Sequence, residues 1–283
     1  MRKILITGEN SYIGTSFQTY INVHFSDTYE IDVLDMIGDT WRQTDFSCYD
    51  CVLHVAGIAH QKETKKNASM YYVVNRDLAV DAAGKAKAEG VKQFVFLSSM
   101  SVYGMDTGVI TRETQPNPKS NYGKSKLQAE QCISSLEDQS YKVVIVRPPM
   151  VYGKGCKGNF QTVLKLVRRL PFFPRVKNQR SMIYIQHLCA FLELVIRDCV
   201  SGVYMPQNAQ YTETSHMATQ IAVRIGKPLC LSRVLGVAVD VVKPCVGMLK
   251  KAFGTLIYQD CEDFEFSYCT VDMDESFKDS VDD

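Results

Sequence analysis

The chain has 283 residues, of which 46 % are hydrophobic and 22 % are charged, and its net charge is +1. These values are typical of a packed globular protein of one or two domains and exclude a largely disordered chain. The balanced charge gives no overall attraction to nucleic acid, and no apolar stretch is long enough to span a membrane. We therefore expect neither nucleic acid as a partner nor an integral membrane segment.

The ten cysteines are scattered, and several lie in apolar runs. The N-terminal apolar run is too short for a signal peptide, so we expect free thiols in a reducing, cytoplasmic setting. The Cys-x-x-Cys pair, Cys48 and Cys51, has no second pair of matching spacing, and we interpret it as structural. His54 and His60 lack a third ligand, so we predict packed histidines and no metal site.

Short apolar runs alternate with helical patterns along the first half of the chain. The strands are predicted at 3–8, 29–35, 51–57, 92–99 and 141–148, and the helices at about 12–22, 66–89 and 122–139. The strands are almost continuously hydrophobic, which is typical of strands buried on both faces. The alternation predicts an α/β fold with a doubly wound parallel sheet over residues 1–150.

The second half is less regular. We predict a smaller substrate-binding region over 151–270, interleaved with the first and with an approximate boundary, and an acidic tail over 271–283 that frays. Its most apolar stretch, 229–258, is interrupted by Arg233, Asp240 and Lys243. We interpret this stretch as a helical lid, with contact to a membrane surface as the alternative.

The segment "TGENSYIG" follows the first strand and opens a helix. Gly8 permits a tight turn, Gly14 permits close packing of helix on strand, and the N–H groups at the helix start suit a pyrophosphate. Ser11 stands where a third glycine is expected. Asp35 ends the second strand, where a carboxylate binds ribose hydroxyls and repels a 2′-phosphate. The pattern predicts a dinucleotide site that favours NAD over NADP.

A second group of residues suits proton transfer. Tyr122 and Lys126 lie one helical turn apart, and Ser98 and Ser99 follow a predicted parallel strand, at the sheet edge where ligands bind. A lysine ammonium together with an oxidised nicotinamide lowers the pKa of a tyrosine, which then removes a proton from a sugar hydroxyl. A serine hydroxyl at the strand end either shares that proton or orients the substrate.

These motifs resemble those of the extended short-chain dehydrogenase/reductases, in the nucleotide-sugar epimerase/dehydratase group typified by UDP-glucose 4-epimerases. The resemblance covers about residues 1–190 and includes "HVAG" (54–57), "SSMSVYG" (98–104) and "RSMIYIQHL" (180–188). It implies a Rossmann-type fold and NAD as cofactor. The residues that it implies are, for catalysis, Ser99, Tyr122 and Lys126; for the cofactor, Gly8, Ser11, Tyr12, Ile13, Gly14, Asp35, Ala56, Asn75, Tyr122, Lys126 and Pro149; and for the substrate, Ser99, Asn159 and Arg180.

Departures from the family pattern reduce the number of reactions that this chain is expected to catalyse. Sugar dehydratases of the family carry an acid and a base where this chain has Met100 and Ser101, and neither residue serves as a general acid or base at neutral pH. Met150 replaces a substrate-contacting asparagine, a role that we assign to Asn159. The remaining chemistry is 4-epimerisation of a UDP-hexose or UDP-N-acetylhexosamine or, as the alternative, NAD(P)H-dependent reduction of a nucleotide-linked 4-keto sugar.

A non-catalytic dinucleotide sensor is a hypothesis of another class, and the retention of Ser99, Tyr122 and Lys126 favours the enzyme. The helices at 66–89 and 122–139 match those that pair between subunits in family dimers. The resemblance therefore implies a homodimer, and it suggests surface-polysaccharide synthesis as the setting.

Overall fold

The structure is a computed structural model that describes residues 1–59, 63–64, 66–243 and 245–281. The strands are β1 Arg2–Thr7, β2 Tyr29–Leu34, β3 Cys51–His54, β4 Gln93–Leu97, β5 Gly108–Ile110, β6 Lys142–Val146, β7 Met150–Tyr152, β8 Phe172–Pro174, β9 Met182–Tyr184, β10 Gly202–Tyr204, β11 Cys230–Ser232 and β12 Leu256–Tyr258. The helices are α1 Tyr12–His24, α2 Ala68–Tyr72, α3 Leu78–Ala88, α4 Asn121–Ser134, α5 Asn159–Arg169, α6 Ile185–Arg197, α7 Thr214–Arg224, α8 Arg233–Val242, α9 Gly247–Phe253 and α10 Met273–Asp279.

The central sheet has the strand order β10-β6-β4-β3-β1-β2, and its neighbouring strands are parallel. From β1 the chain goes outward to β2 and then returns to β3 on the other side. This reversal is the point at which open α/β sheets bind ligands, beyond the carboxyl ends of the strands. The predicted α/β fold with a doubly wound parallel sheet is confirmed.

Small side chains let one helix approach this sheet closely. Helix α3 buries four alanines completely, and they pack in one core with strand residues such as Val52 and Phe94. The four are Ala79, Ala82, Ala83 and Ala86. Because alanine side chains are short and unbranched, the helix axis lies near the strands. The strands are themselves buried on both faces.

Two predicted helices differ from the observed ones. The predicted 66–89 helix is interrupted by a π-helical turn, Val73–Asp77, between α2 and α3. The predicted 122–139 helix ends at Ser134, because the Asp138 carboxylate accepts the N–H groups of Ser140 and Tyr141 and stabilises a turn before β6. Aspartate competes in this way with helical hydrogen bonding.

The chain forms two compact units that interleave in sequence. The first comprises 1–104, 115–148 and 188–206 and contains the six-stranded sheet. The second comprises 105–114, 149–187 and 207–283 and contains the two-stranded parallel pairs β5–β12, β7–β9 and β8–β11. In the described part of the chain, no helix is both long and apolar enough to cross a bilayer.

The prediction that the acidic tail frays is wrong for residues 273–279, which form α10. Asp272 caps this helix, since its side chain accepts the Glu275 N–H at 2.8 Å. The Phe277 ring is fully buried, with its centroid 5.0 Å from that of Tyr152. The acidic composition of the tail gave no indication that Phe277 would be buried. Burial of its ring offsets the entropy cost of ordering the helix.

Candidate active site

The glycine turn after β1 is held against the end of β3. Gly8 has φ +116°, and a Cβ added there would lie 2.7 Å from the Ala56 nitrogen. The Ala56 N–H donates to the Thr7 carbonyl at 2.8 Å. Both the backbone conformation and the close approach therefore require glycine at this position.

Ser11 caps helix α1, and this explains why a serine occupies the place of a glycine. Its Oγ accepts the Gly14 N–H at 3.1 Å. Gly14 is buried, and a Cβ there would lie 3.0 Å from methyl carbons of Ile6 and Val55. Tyr12 and Ile13 are the first residues of α1, at positions whose N–H groups have no acceptor within a helix. Such a helix start suits an anion such as a pyrophosphate.

The Asp35 carboxylate lies just beyond β2 and next to the glycine turn. The Gly8 N–H donates to the Leu34 carbonyl at 2.9 Å, which ties the turn to the residue before Asp35. Asp35 is exposed, and its Oδ1 accepts the Ile37 N–H at 3.0 Å. The predicted residues Gly8, Ala56 and Asp35 thus meet at one edge of the sheet, in the arrangement expected around the adenosine part of a dinucleotide.

Asn75 is buried in the π-helical turn and fixes the loop after β3. Its Oδ1 accepts the Ile58 N–H at 2.8 Å, and its Nδ2 donates to the Ile58 carbonyl at 3.1 Å. A Cβ on Gly57 would lie 2.9 Å from the Asn75 Oδ1 and 3.5 Å from the Lys126 Nζ. Asn75, predicted to contact the cofactor, is therefore placed to order the loop beside Lys126.

Ser99 lies two residues beyond β4 and caps a 3-10 helix, Met100–Tyr103. Its Oγ accepts the Ser101 N–H at 3.1 Å. Helix α4 packs directly on this segment, because a Cβ on Gly123 would lie 2.6 Å from the Ser101 carbonyl oxygen. The absent side chain at Gly123 brings Tyr122, its neighbour in the first turn of α4, to Ser99.

Tyr122 is partly buried and lies near Ser99. Burial raises the pKa of its phenol above the ordinary value, and the nearby Ser99 side chain opposes this. Lys126 does not lower the pKa of the Tyr122 phenol in this structure, because its ammonium donates to the Leu97 carbonyl at 2.7 Å instead. In this structure the raised pKa makes Tyr122 a neutral phenol, and it lies near a serine side chain.

Lys126 is buried at the base of this site. Its Nζ lies 4.5 Å from the centre of the Phe96 ring. Burial lowers the pKa of the ammonium to about 8, although the Glu130 carboxylate one turn further along α4 raises it. The pKa of Lys126 is thus close to neutral pH, which suits a group whose charge takes part in a reaction.

A buried ionic cluster, which the sequence did not predict, lies beneath the site. Glu130 accepts a two-pronged contact from Arg147, with an Oε2 to Nη2 distance of 2.6 Å, and a hydrogen bond from the Ser98 hydroxyl. The Arg147 Nη1 also donates to the Tyr103 hydroxyl at 2.8 Å. The spacing of Glu130, four residues after Lys126, was the available signal. The cluster fixes α4 to the end of β4, where Ser99 begins its 3-10 helix.

The Glu63 carboxylate caps the N-terminus of α4. The two oxygens of Glu63 accept the N–H groups of Asn121 and Tyr122 at 3.1 and 3.0 Å. A carboxylate at a helix N-terminus is favoured by the helix dipole. Nothing in the sequence near Glu63 indicated this contact.

Three predicted residues lie in the second unit. Pro149 is buried just before β7, and Asn159 is exposed at the start of α5. Arg180 is buried, and its Nη1 donates to the Gly254 carbonyl at 3.0 Å. Its Nε has no hydrogen-bond partner among the described residues, and burial lowers the pKa of the guanidinium. A buried guanidinium whose Nε–H has no partner among the described residues fits the predicted role of binding an anion.

His54 is fully buried, and its ring packs against those of Phe94 and Phe96 on the neighbouring strand. Its Nδ1 lies 2.7 Å from the Thr7 Oγ1, and burial lowers the pKa of the imidazole to about 3. It is therefore a packed, neutral histidine; His60 lies outside the described residues. Among the residues that the structure describes, Cys48 and Cys51 are free thiols, and no group of side chains could hold a metal ion.

The model of the NAD dependent epimerase/dehydratase family matches residues 4–205. A UDP-glucose 4-epimerase from Vibrio cholerae is 30 % identical over 80 % of this chain and 77 % of its own length. An Escherichia coli O157:H7 N-acetyl-alpha-D-glucosaminyl-diphospho-ditrans,octacis-undecaprenol 4-epimerase is 25 % identical over 70 % of this chain and 64 % of its own. The solved UDP-glucuronic acid 4-epimerase from Bacillus cereus, in complex with NAD, is 18 % identical, covers 98 % of this chain and 97 % of its own, and superimposes with a TM-score of 0.75.

The family match covers all of the six-stranded sheet except the first two residues of β1, includes the glycine turn, and extends well beyond half of the chain. It confirms the resemblance that the motifs indicated, and the name of the family confirms the prediction of NAD as cofactor. The cradle around Gly8 and Ser11, the Asp35 carboxylate and the Ser99–Tyr122–Lys126 group all fit that cofactor. The chain therefore belongs to the NAD dependent epimerase/dehydratase family and is an NAD-dependent enzyme.

Proposed function

We propose that this enzyme is a 4-epimerase of a UDP-linked hexose or N-acetylhexosamine, which works by transient oxidation of the sugar at C4. The observation that carries the proposal is the proximity of Tyr122 to Ser99, with the buried Lys126 one turn further along α4. The pair supplies one proton-transfer site, and Met100 and Ser101 add no acid or base for an elimination. Removal and return of hydrogen at a single carbon needs only one such proton-transfer site.

When bound in the cradle around Gly8 and Ser11, NAD would supply reversible hydride transfer at C4, from one face of the sugar ring and back to the other. For this chemistry Tyr122 first loses its phenolic proton to solvent, and the oxygen of the resulting phenolate then receives the proton of the 4-hydroxyl and later gives it back. The Ser99 hydroxyl binds the same sugar oxygen and keeps it within reach of Tyr122. Lys126, while protonated, stabilises the negative charge of the Tyr122 phenolate.

Arg180 is the proposed ligand of the nucleotide diphosphate, because its guanidinium is buried and lacks a carboxylate that hydrogen-bonds to it among the described residues. A phosphate oxygen would satisfy the Nε–H that has no partner. Asn159 is exposed at the start of α5, and we assign it the polar contact to the sugar that Met150 cannot make. The three relatives described above are named as 4-epimerases of sugar diphosphates, which supports this substrate class.

We further propose that the enzyme is a homodimer that pairs through α2, α3 and α4. Met70 and Val73 are 50 % and 54 % exposed on the α2 side of this layer, and their apolar surface is suited to burial against a second copy. Sedimentation analysis tests this, and a monomer over the whole concentration range would refute it.

The test of the function uses the purified enzyme with no added cofactor, incubated with UDP-galactose and UDP-N-acetylgalactosamine. We expect retained NAD and formation of the 4-epimer, because the cofactor is regenerated in each cycle. Tyr122→Phe should reduce turnover about 10²–10⁴-fold while NAD binding persists. Tyr49→Phe, which removes only a surface hydrogen bond to Asp32, is the matched control.

Two outcomes would contradict the proposal. Consumption of NAD(P)H only in the presence of a 4-keto sugar, with no epimer formed, would assign the enzyme as a reductase. Full activity of Tyr122→Phe would remove Tyr122 from the proton-transfer step.

A further inference from the structure

Helix α8 exposes its apolar side chains. Val234, Val237 and Val241, which share one face at i, i+3 and i+7, are 79, 64 and 71 % exposed. The opposite face carries Gly236, the one residue of α8 that is buried. A Cβ on Gly236 would lie 2.2 Å from the Arg175 carbonyl oxygen, so the helix is held by its glycine side. A lid of the kind considered from the sequence would bury these valines instead.

The exposed apolar surface continues onto neighbouring elements of the same unit. Strand β8 pairs with β11, which places Phe172 opposite Cys230, three residues before α8 begins. The Lys227 ammonium donates to carbonyl groups at the end of α5, including that of Leu170 at 3.1 Å. The α8 patch, as we call this surface, comprises Leu166, Leu170, Phe172, Val234, Leu235, Val237, Val241 and Val242, each at least 38 % exposed.

The two segments of chain that supply the α8 patch are rich in basic residues. Residues 154–180 contain eight lysines and arginines, of which Arg180 is buried, and no aspartate or glutamate; residues 223–251 contain six and a single acid, Asp240. Asp240 is paired with Lys243 at 2.7 Å, and Lys251 lies 3.9 Å from Asp106. Because the whole chain has a net charge of only +1, its positive charge is concentrated in these two segments.

We propose that the α8 patch docks the protein on the surface of a lipid bilayer rich in anionic headgroups. A helix with an exposed apolar face and basic surroundings inserts that face at the headgroup boundary while the cations bind lipid phosphates. A second copy of the chain fits less well, because a two-fold interface would bring the same cations of both copies together. The attachment is peripheral, as no described helix spans a bilayer.

The test is sedimentation of the full-length enzyme with vesicles of phosphatidylcholine, with and without phosphatidylglycerol, at low and high salt. We expect binding only to vesicles with phosphatidylglycerol, and weaker binding at high salt. The variant Val234→Ser/Val237→Ser/Val241→Ser should bind at least about tenfold more weakly, since three inserting side chains are lost. These side chains are exposed, so the variant should keep the wild-type circular dichroism spectrum and thermal midpoint.

The matched control is Val23→Ser/Ile37→Ser, which removes exposed apolar side chains, 69 and 82 % exposed, from the other unit and should not change vesicle binding. Absence of wild-type binding to the anionic vesicles overturns the proposal, as does undiminished binding of the triple variant. If the triple variant instead turns a dimer into a monomer while the wild type ignores vesicles, the α8 patch is a contact between copies and the proposal is wrong.

Discussion

Lys126→Met should make the protein more stable at neutral pH while abolishing most of its activity. Burial lowers the pKa of the Lys126 ammonium from 10.5 to about 8, and each tenfold loss of proton affinity corresponds to about 1.4 kcal/mol. Keeping the group charged in the folded protein near pH 7 thus costs about 3 kcal/mol. The variant also loses the hydrogen bond to the Leu97 carbonyl, worth about 1 kcal/mol, so we expect a net gain of about 2 kcal/mol.

The pH dependence identifies the cause. The folded-state pKa lies below the unfolded one, so the unfolded chain binds the additional proton in the window between about pH 8 and pH 10.5. The cost is fully present below this window and is relieved as the pH rises through it. Between about pH 7 and pH 9.5 the wild type should therefore gain about 2 kcal/mol relative to Lys126→Met, which removes most of the difference.

Urea unfolding of both proteins, stripped of cofactor, measures this difference at the two pH values. Lys124→Met is the matched control, because Lys124 is exposed on the same helix and its removal should have no such effect. A variant that is less stable than the wild type at pH 7 by an amount independent of pH would refute the reasoning. In that case burial of the Lys126 charge would not be what lowers the free energy of unfolding of the wild type.

Two further predictions concern parts of the structure that the sequence did not reveal. Glu130→Gln should lower the free energy of unfolding by about 3–5 kcal/mol in urea titrations, because it leaves the Arg147 guanidinium buried without its carboxylate; a change below about 1 kcal/mol would contradict the cluster. Phe277→Ala should cost a similar amount, about 3–5 kcal/mol, by removing a fully buried ring. Lys278→Ala, at the exposed neighbouring position, should cost little, and equal effects of the two would show that the tail does not pack.

The sequence predicts the elements of the parallel sheet well because burial on both faces leaves a continuous apolar run for each strand. It also places Gly8, Asp35, Ser99, Tyr122 and Lys126, since their spacing follows from strand ends and one helical turn. Contacts between residues distant in sequence were not predictable in this way. The capping of α4 by Glu63 joins positions 58 residues apart, and the direction of the Lys126 ammonium depends on the Leu97 carbonyl beneath it.

Asn75 makes a contact that the motif alone did not predict. Its Oδ1 accepts the Ile58 N–H and its Nδ2 donates to the Ile58 carbonyl, so the side chain holds the loop after β3 in place. An amide can accept and donate further hydrogen bonds, and the contact to the cofactor stays a prediction.

The buried cations of this enzyme fall into two kinds, and the difference separates architecture from chemistry. Arg147 contacts Glu130 at 2.6 Å, and this carboxylate raises the pKa of the guanidinium. Within the described part of the chain, Lys126 and Arg180 donate only to backbone carbonyls, of Leu97 and Gly254, and burial lowers both their pKa values. A paired cation stabilises the fold, whereas one that lacks a hydrogen-bonded carboxylate costs stability until a ligand supplies polar or negative atoms. The carboxylates of Glu130 and Asp106 raise these two pKa values without reversing the effect of burial, so the protein offsets the cost of Lys126 and Arg180 only in part.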